Sequence, residues 1–144
     1  MTILATEQAA ATNGREGRAT SNDGKIDLPI APPGAPGDAT NPEQLFAAGY
    51  AACFGQAIKA MAGQHDIAID ADAMKVDATV RLHKGDDGGF YIDATLDATM
   101  PGTDQAQAET LVEKAHEICP YSKATRGNIE VTLHANGTAL AKAA

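Results

Sequence analysis

The longest hydrophobic stretch of the chain runs from residue 45 to residue 62 and is rich in alanine. Its polar side chains are Tyr50, Cys53, Gln56 and Lys59. A helix that carries apolar or small groups over most of its circumference is typical of a buried position. Asn41 is a favourable N-cap, Pro42 suits the first helical position, and Gln44 stands where a capping box places Glu or Gln. We therefore expect a buried helix that begins beside Asn41 and holds Cys53 in apolar surroundings.

Alternating patterns predict strands on both sides of this helix. Residues 74–84 and 90–100 place apolar side chains at every second position, and the glycines and aspartates of 85–89 favour a tight turn between them. These segments predict an antiparallel hairpin with one buried face. Shorter strands are expected at 26–30, after a hairpin turn at 21–25, at 128–135, and at the edge segment 2–12.

A second helix is predicted after the break at residues 101–103, with apolar positions at helical spacing up to Cys119, where Pro120 ends it. The proline-rich loop 31–38 leads into the first helix, because the roughly 30 residues before it are too few for a separate core. Antiparallel strands with interspersed helices and no βαβ rhythm predict an α+β fold. We expect one domain over residues 1–144.

Composition narrows the function classes. A net charge of −8 disfavours binding to nucleic acid and to anionic membrane surfaces. The apolar runs are too short for a membrane span and the N-terminus lacks a signal-peptide pattern, so we expect a cytoplasmic protein. The four histidines show no ligand spacing and there is no Cys-x-x-Cys motif, so no metal is expected. Two cysteines in a reducing compartment are more often catalytic or redox-active than structural.

Neither cysteine is activated by its own predicted helix. Cys119 closes a helix, where the negative end of the dipole disfavours a thiolate, and apolar surroundings raise the pKa of Cys53. A reactive Cys53 therefore needs a cation, which the glycine-flanked Arg15 or Arg18 can supply, with Glu43 as the acid that holds the guanidinium. The alternative that Cys53 is an ordinary core residue stays open.

Three segments, 13–17, 40–54 and 115–129, resemble the organic hydroperoxide resistance (Ohr) branch of the OsmC/Ohr superfamily. The third contains Cys-Pro-Tyr-Ser followed by Ala-Thr-Arg-Gly-Asn, which is typical of Ohr rather than of OsmC. The resemblance implies an OsmC/Ohr-like fold with antiparallel sheets around a buried central helix, in an intertwined homodimer with its active sites at the subunit interface.

The resemblance also implies a thiol peroxidase that reduces organic hydroperoxides to alcohols. Cys53 resembles the peroxidatic cysteine, Cys119 the resolving cysteine, Arg15 the activating arginine and Glu43 its carboxylate partner. Cys53 would become a sulfenic acid, condense with Cys119 to a disulfide, and be restored by a lipoyl dithiol or lipoylated protein, with no metal, flavin or nucleotide. Two other classes stay open: a redox sensor that signals through the disulfide, and a protein that only binds a lipid or another small molecule.

Several further residues carry weaker expectations. Leu45, Phe46 and Met61 would favour bulky alkyl or fatty-acyl hydroperoxides as substrates. His116 shares a helical face with Cys119 but is better explained as a surface or packing residue. Arg126 is expected to pair with a carboxylate or carbonyl in the turn after Pro120.

The spacing of Glu43 and Cys53 conflicts with a simple site. Ten residues of continuous helix span about 15 Å, too far for Glu43 to hold an arginine that touches Cys53. Either the helix breaks, at Gly49, or Glu43 reaches the site from a second subunit whose helix runs antiparallel alongside. We favour the second alternative, because the small residues 47–52 permit close approach and a two-fold axis makes the contact twice.

Overall fold

The computed structural model describes residues 1–141. Its elements in chain order are β1 (Ala9–Thr12), a 3-10 turn (Gly14–Glu16), β2 (Arg18–Ser21), β3 (Asp27–Pro29), α1 (Pro42–Gln64), β4 (Lys75–Lys84), β5 (Phe90–Thr99), α2 (Gln105–Ile118), α3 (Pro120–Thr125), β6 (Val131–Ala135) and β7 (Thr138–Ala139). Two sheets and three α-helices confirm the predicted α+β class. Within the described residues, no helix is both long enough and apolar enough to cross a membrane. The chain groups into two compact units, Met1–Leu45 and Phe46–Ala144, and that it forms one domain stays a prediction.

The first unit contains an antiparallel sheet in the order β1-β2-β3. The predicted hairpin at 21–25 is confirmed, since β2 ends at Ser21 and pairs with β3. The predicted edge strand 2–12 is correct only for residues 9–12. The strand β1 is short because its partner β2 has only four residues with which it can form backbone hydrogen bonds.

Helix α1 begins as predicted. The Asn41 side-chain oxygen accepts the Gln44 N–H at 2.9 Å, which caps the helix, and the Gln44 side chain accepts a hydrogen bond from Thr40 Oγ1 at 2.7 Å. Only one face is buried, with Tyr50, Phe54, Gly55, Ala57, Ile58, Met61 and Ala62. The expectation of burial all round is wrong for a single chain, because Ala48, Ala52, Gln56 and Lys59 are exposed. The hydrophobic core of the second unit packs against the buried face of α1.

The sheet of the second unit has the order β4-β5-β6-β7. The predicted hairpin is confirmed, with ten antiparallel pairs from Lys75↔Thr99 to Lys84↔Phe90. The expectation of antiparallel strands without a βαβ rhythm is wrong for β5 and β6, which pair in parallel from Ala94↔Val131 to Ala98↔Ala135. The reason is that α2 and α3 carry the chain back to the starting end of β5, so that β6 runs in the same direction.

Helix α2 is capped by Asp104, whose carboxylate accepts the Gln107 N–H at 2.9 Å. It ends at Ile118, one residue before the predicted last residue Cys119, and Pro120 does not open an irregular turn. Cys119 adopts an extended conformation (φ −57°, ψ 125°) and Pro120 then begins α3. A proline ends the preceding helix because it lacks an N–H, yet its fixed φ suits the first position of a new one.

Candidate active site

The second unit brings the two cysteines together. Cys53 lies in the middle of α1 and Cys119 between α2 and α3, with their sulfur atoms 3.6 Å apart and both thiols free. A disulfide bond is about 2.05 Å long, so an approach of roughly 1.5 Å would close it. Cys119 is fully buried, whereas Cys53 is partly exposed. A reagent from solution therefore meets Cys53 first.

The surroundings of Cys53 act on its pKa in opposite directions. Burial raises the pKa of this thiol, as the sequence predicted, and the neighbouring Cys119 thiol adds to the increase. The backbone N–H of Tyr121 opposes this by donating to the sulfur, which favours the thiolate. This donor was not among the groups predicted from the sequence. The signal that could have found it is Pro120, which places the next amide at the start of α3 with no partner in its own helix.

An aromatic cluster lies on the Cys53 side of α1. The ring of Tyr121 is 6.0 Å from that of Phe46 and 5.7 Å from that of Tyr50, measured between centroids. Gly49 leaves the space for it: a Cβ there would lie 2.7 Å from the Tyr121 hydroxyl oxygen. The glycine is therefore required by the close approach of Tyr121 and does not break the helix.

The first unit joins Arg15 and Glu43. The guanidinium donates twice to the carboxylate, Nη1 to Oε2 at 3.0 Å and Nη2 to Oε1 at 2.7 Å. This pairing lowers the pKa of Glu43 and raises that of Arg15. The Glu43 side chain is 12% exposed and that of Arg15 47%, so the carboxylate is enclosed while part of the guanidinium is available.

Arg15 and Arg18, the two candidate cations, have different partners. Arg15 lies in the 3-10 turn, whereas Arg18 is in β2 and its Nε donates to Asp27 of β3 at 2.5 Å. The turn needs Gly17, since a Cβ there would lie 1.8 Å from the carbonyl oxygen of Thr12. Of the two arginines, Arg15 is the one bound by Glu43.

The residues expected to line a substrate site lie in different places. Phe46 is half-buried in the aromatic cluster, Met61 is part of the hydrophobic core, and Leu45 is half-buried at the end of the first unit. Their contact with substrate stays a prediction.

A separate cavity of about 650 Å³ is lined by Glu113, His116, Glu117, Arg126, Gly127, Ile129, Glu130, Val131, Thr132, Leu133, Leu140 and Ala141. Its lining, as far as the chain is described, includes neither cysteine.

A model of the OsmC-like protein family matches residues 35–134 of the chain. The chain belongs to the OsmC family. Over 135 residues it is 51% identical to an organic hydroperoxide resistance protein of Xanthomonas axonopodis pv. citri, covering 91% of this chain and 94% of the relative. This places the chain in the Ohr branch of the family, and the resemblance seen in the sequence is confirmed.

Solved structures agree with this placement. The crystal structure of the organic hydroperoxide resistance protein OhrB of Bacillus subtilis matches with a TM-score of 0.86 at 47% identity, over 92% of this chain and 99% of that one. An organic hydroperoxide resistance protein from Elizabethkingia anophelis matches with a TM-score of 0.86 at 41% identity, over 96% of this chain and 100% of that one. The OsmC/Ohr fold is therefore confirmed.

Proposed function

We propose that this Ohr-branch protein is a cysteine-based peroxidase that reduces organic hydroperoxides to alcohols. The observation that carries the proposal is the 3.6 Å approach of a partly exposed Cys53 to a buried Cys119. The relatives named organic hydroperoxide resistance proteins support peroxide detoxification as the role and organic hydroperoxides as the substrate class.

The reaction balances with thiols alone. The Cys53 thiolate attacks one peroxide oxygen, the O–O bond breaks, and the alcohol leaves with a proton while Cys53 becomes a sulfenic acid. The Cys119 thiol then displaces hydroxide from that sulfur, which gives a disulfide and water. A dithiol of the lipoyl type reduces the disulfide by exchange and is itself oxidised to a cyclic disulfide.

Arg15 and Glu43 supply the electrostatic part of this proposal. The guanidinium favours the thiolate and stabilises the negative charge that develops on the peroxide oxygens, and Glu43 fixes its orientation through two hydrogen bonds. The bulky apolar groups Leu45, Phe46 and Met61 would select alkyl or fatty-acyl hydroperoxides over hydrogen peroxide.

The proposal includes a homodimer in which the Arg15–Glu43 pair of one chain serves Cys53 of the other. Helix α1 is continuous from Pro42 to Gln64, so the alternative of a break at Gly49 is wrong. The exposed small side chains Ala48 and Ala52 support close approach of a second α1.

The test is consumption of cumene hydroperoxide with dihydrolipoamide or with glutathione as the reductant. We expect turnover with dihydrolipoamide, none in Cys53→Ser, and a single turnover in Cys119→Ser that leaves a sulfenic acid trapped by dimedone. Equal single-turnover rates in the wild type and Cys53→Ser would refute the assignment. A sensor would oxidise once and resist the dithiol, and a binding protein would not oxidise at all.

A further inference from the structure

A buried chain of hydrogen bonds links the three helices of the second unit. The Tyr50 hydroxyl of α1 bonds Ser122 Oγ of α3 at 3.0 Å, and Ser122 Oγ bonds Nδ1 of His116 in α2 at 2.9 Å. Thr125 Oγ1 lies 3.3 Å from the same tyrosine hydroxyl. Tyr50 and Ser122 are fully buried and Thr125 is nearly so, whereas His116 is half-buried at the outer end of the network.

The residues of this hydrogen-bond network lie close to both cysteines along the sequence. Tyr50 is one helical turn before Cys53, while His116 and Ser122 stand three residues before and three residues after Cys119. Cys119 itself lies in extended backbone between two helices. Its position relative to Cys53 is therefore set by how the end of α2 and the start of α3 are held against α1.

The donor and acceptor roles of Tyr50, Ser122 and His116 can be assigned consistently. Burial lowers the pKa of His116, and the charge of Arg126 acts in the same sense, which favours the neutral ring. With its proton on Nε2, the ring accepts the Ser122 hydrogen at Nδ1, and the Ser122 oxygen then accepts from Tyr50. No buried side-chain nitrogen or oxygen among the described residues lacks a hydrogen-bond partner.

Arg126 adds a second constraint at the end of α2. Its Nη2 donates to the carbonyl oxygen of His116 at 2.6 Å. The sequence predicted a carbonyl or carboxylate partner in the turn after Pro120; the carbonyl instead belongs to the last turn of α2, before that proline. A cation that bonds the last carbonyls of a helix stabilises its C-terminus.

We propose that His116 and Ser122 are positioning residues that, through Tyr50, hold the Cys119 sulfur 3.6 Å from the Cys53 sulfur, poised for disulfide formation. This rests on the proposed function, in which Cys119 resolves oxidised Cys53. The reason is geometric: the sulfur atoms need to approach by only about 1.5 Å, and a misplacement of about 1 Å in such a step can cost about a hundredfold in rate. The first step, attack on the hydroperoxide, does not use Cys119 and is left unchanged.

The closure step can be measured without any hydroperoxide. Equimolar Ellman's reagent forms a mixed disulfide on the accessible Cys53, and attack by the Cys119 thiol releases the second thionitrobenzoate as the Cys53–Cys119 disulfide forms. The rate of that second release reports attack by Cys119 on Cys53 without any contribution from the peroxide step. Peroxide reduction is followed separately by single-turnover oxidation of Cys53.

The matched variants are His116→Asn and His116→Gln. An Asn amide branches at the carbon that carries Nδ1 in histidine and can still bond Ser122, whereas a Gln amide lies one carbon further out. We expect His116→Gln and Ser122→Ala to slow formation of the Cys53–Cys119 disulfide about tenfold or more. His116→Asn and the exposed control Lys123→Ala should form it at the wild-type rate. Tyr50→Phe, which keeps the ring and removes only the hydroxyl, gives a second slow variant should Ser122→Ala fail to fold.

The outcomes separate the two proposals. Equal closure rates in the Asn, Gln and wild-type proteins, or equal slowing in Asn and Gln, would overturn the positioning role. Closure that depends on His116 in a protein that does not reduce hydroperoxide would uphold it and refute the peroxidase. Slower oxidation of Cys53 itself in His116→Gln would show a general structural effect and overturn the inference.

Discussion

Two variants that we expect to be inactive, one at Glu43 and one at Cys53, can be combined in a heterodimer to decide which chain's Glu43 serves a given Cys53. One chain carries Glu43→Ala and the other Cys53→Ser, each with a different affinity tag, and the heterodimer is purified after co-expression. If Glu43 acts across the interface, the site at the intact Cys53 receives the intact Glu43 of the other chain. The second site then contains both lesions.

The expected magnitude follows from the continuity of α1. Its uninterrupted span from Pro42 to Gln64 sets Glu43 and Cys53 about 15 Å apart along the axis, at about 1.5 Å per residue. With one intact site in two, the heterodimer should recover about half of the wild-type rate, while each homodimer stays near background.

A matched heterodimer reverses the outcome. When both substitutions are placed in one chain and the other is wild type, each of the two sites built across the interface carries one lesion and activity is lost. A site built within one chain would instead leave the wild-type subunit intact and give about half of the activity. The assay for both is consumption of cumene hydroperoxide with dihydrolipoamide. An inactive first heterodimer together with an active second one would refute the reasoning.

Three further predictions concern single side chains. Arg15→Ala should slow oxidation of Cys53 by about a hundredfold, because it removes a donor that stabilises negative charge. The control Arg18→Ala removes the pair with Asp27 and should have little effect on that rate. Stopped-flow measurement of Cys53 oxidation compares the two variants, and a larger loss in Arg18→Ala would show that the wrong arginine was chosen. Gly49→Ala should destabilise the fold by roughly 1–3 kcal/mol, because its Cβ would lie 2.7 Å from the Tyr121 hydroxyl oxygen, and the added change Tyr121→Phe should recover part of the loss. Urea unfolding measures this against Gly63→Ala, where the described residues leave the Cβ free and about 0.5–1 kcal/mol of stabilisation is expected. Finally, the hydrogen bonds from Arg15 lower the pKa of Glu43 below its ordinary value of 4.5. The ionised carboxylate therefore stabilises the folded protein above pH 4.5, and this stabilisation is lost as the pH falls through the lowered pKa. The stability difference between wild type and Glu43→Gln should therefore shrink on acidification, and a constant difference would contradict the pairing.

Local features of the sequence predicted much of this fold. The start of α1 follows from Asn41 and Pro42, and the long hairpin follows from period-two alternation around a glycine-rich turn, since capping and strand patterning act over a few residues. The motif around Cys119 was long enough to indicate the family. The direction of the apolar effect on the pKa of Cys53 also follows from sequence, because burial always opposes the charged form.

Features that depend on contacts between distant segments required the tertiary structure. The parallel pairing of β5 with β6 is set by the path of α2 and α3 across the sheet, which no local pattern encodes. The polar network from His116 through Ser122 to Tyr50 joins residues on three helices, which is why His116 looked in sequence like a surface or packing residue. Spacing along the chain determines which residues share an element, whereas the packing of elements determines which atoms lie within 3 to 4 Å of each other. The chemistry that we propose for Cys53 and Cys119 depends on that packing.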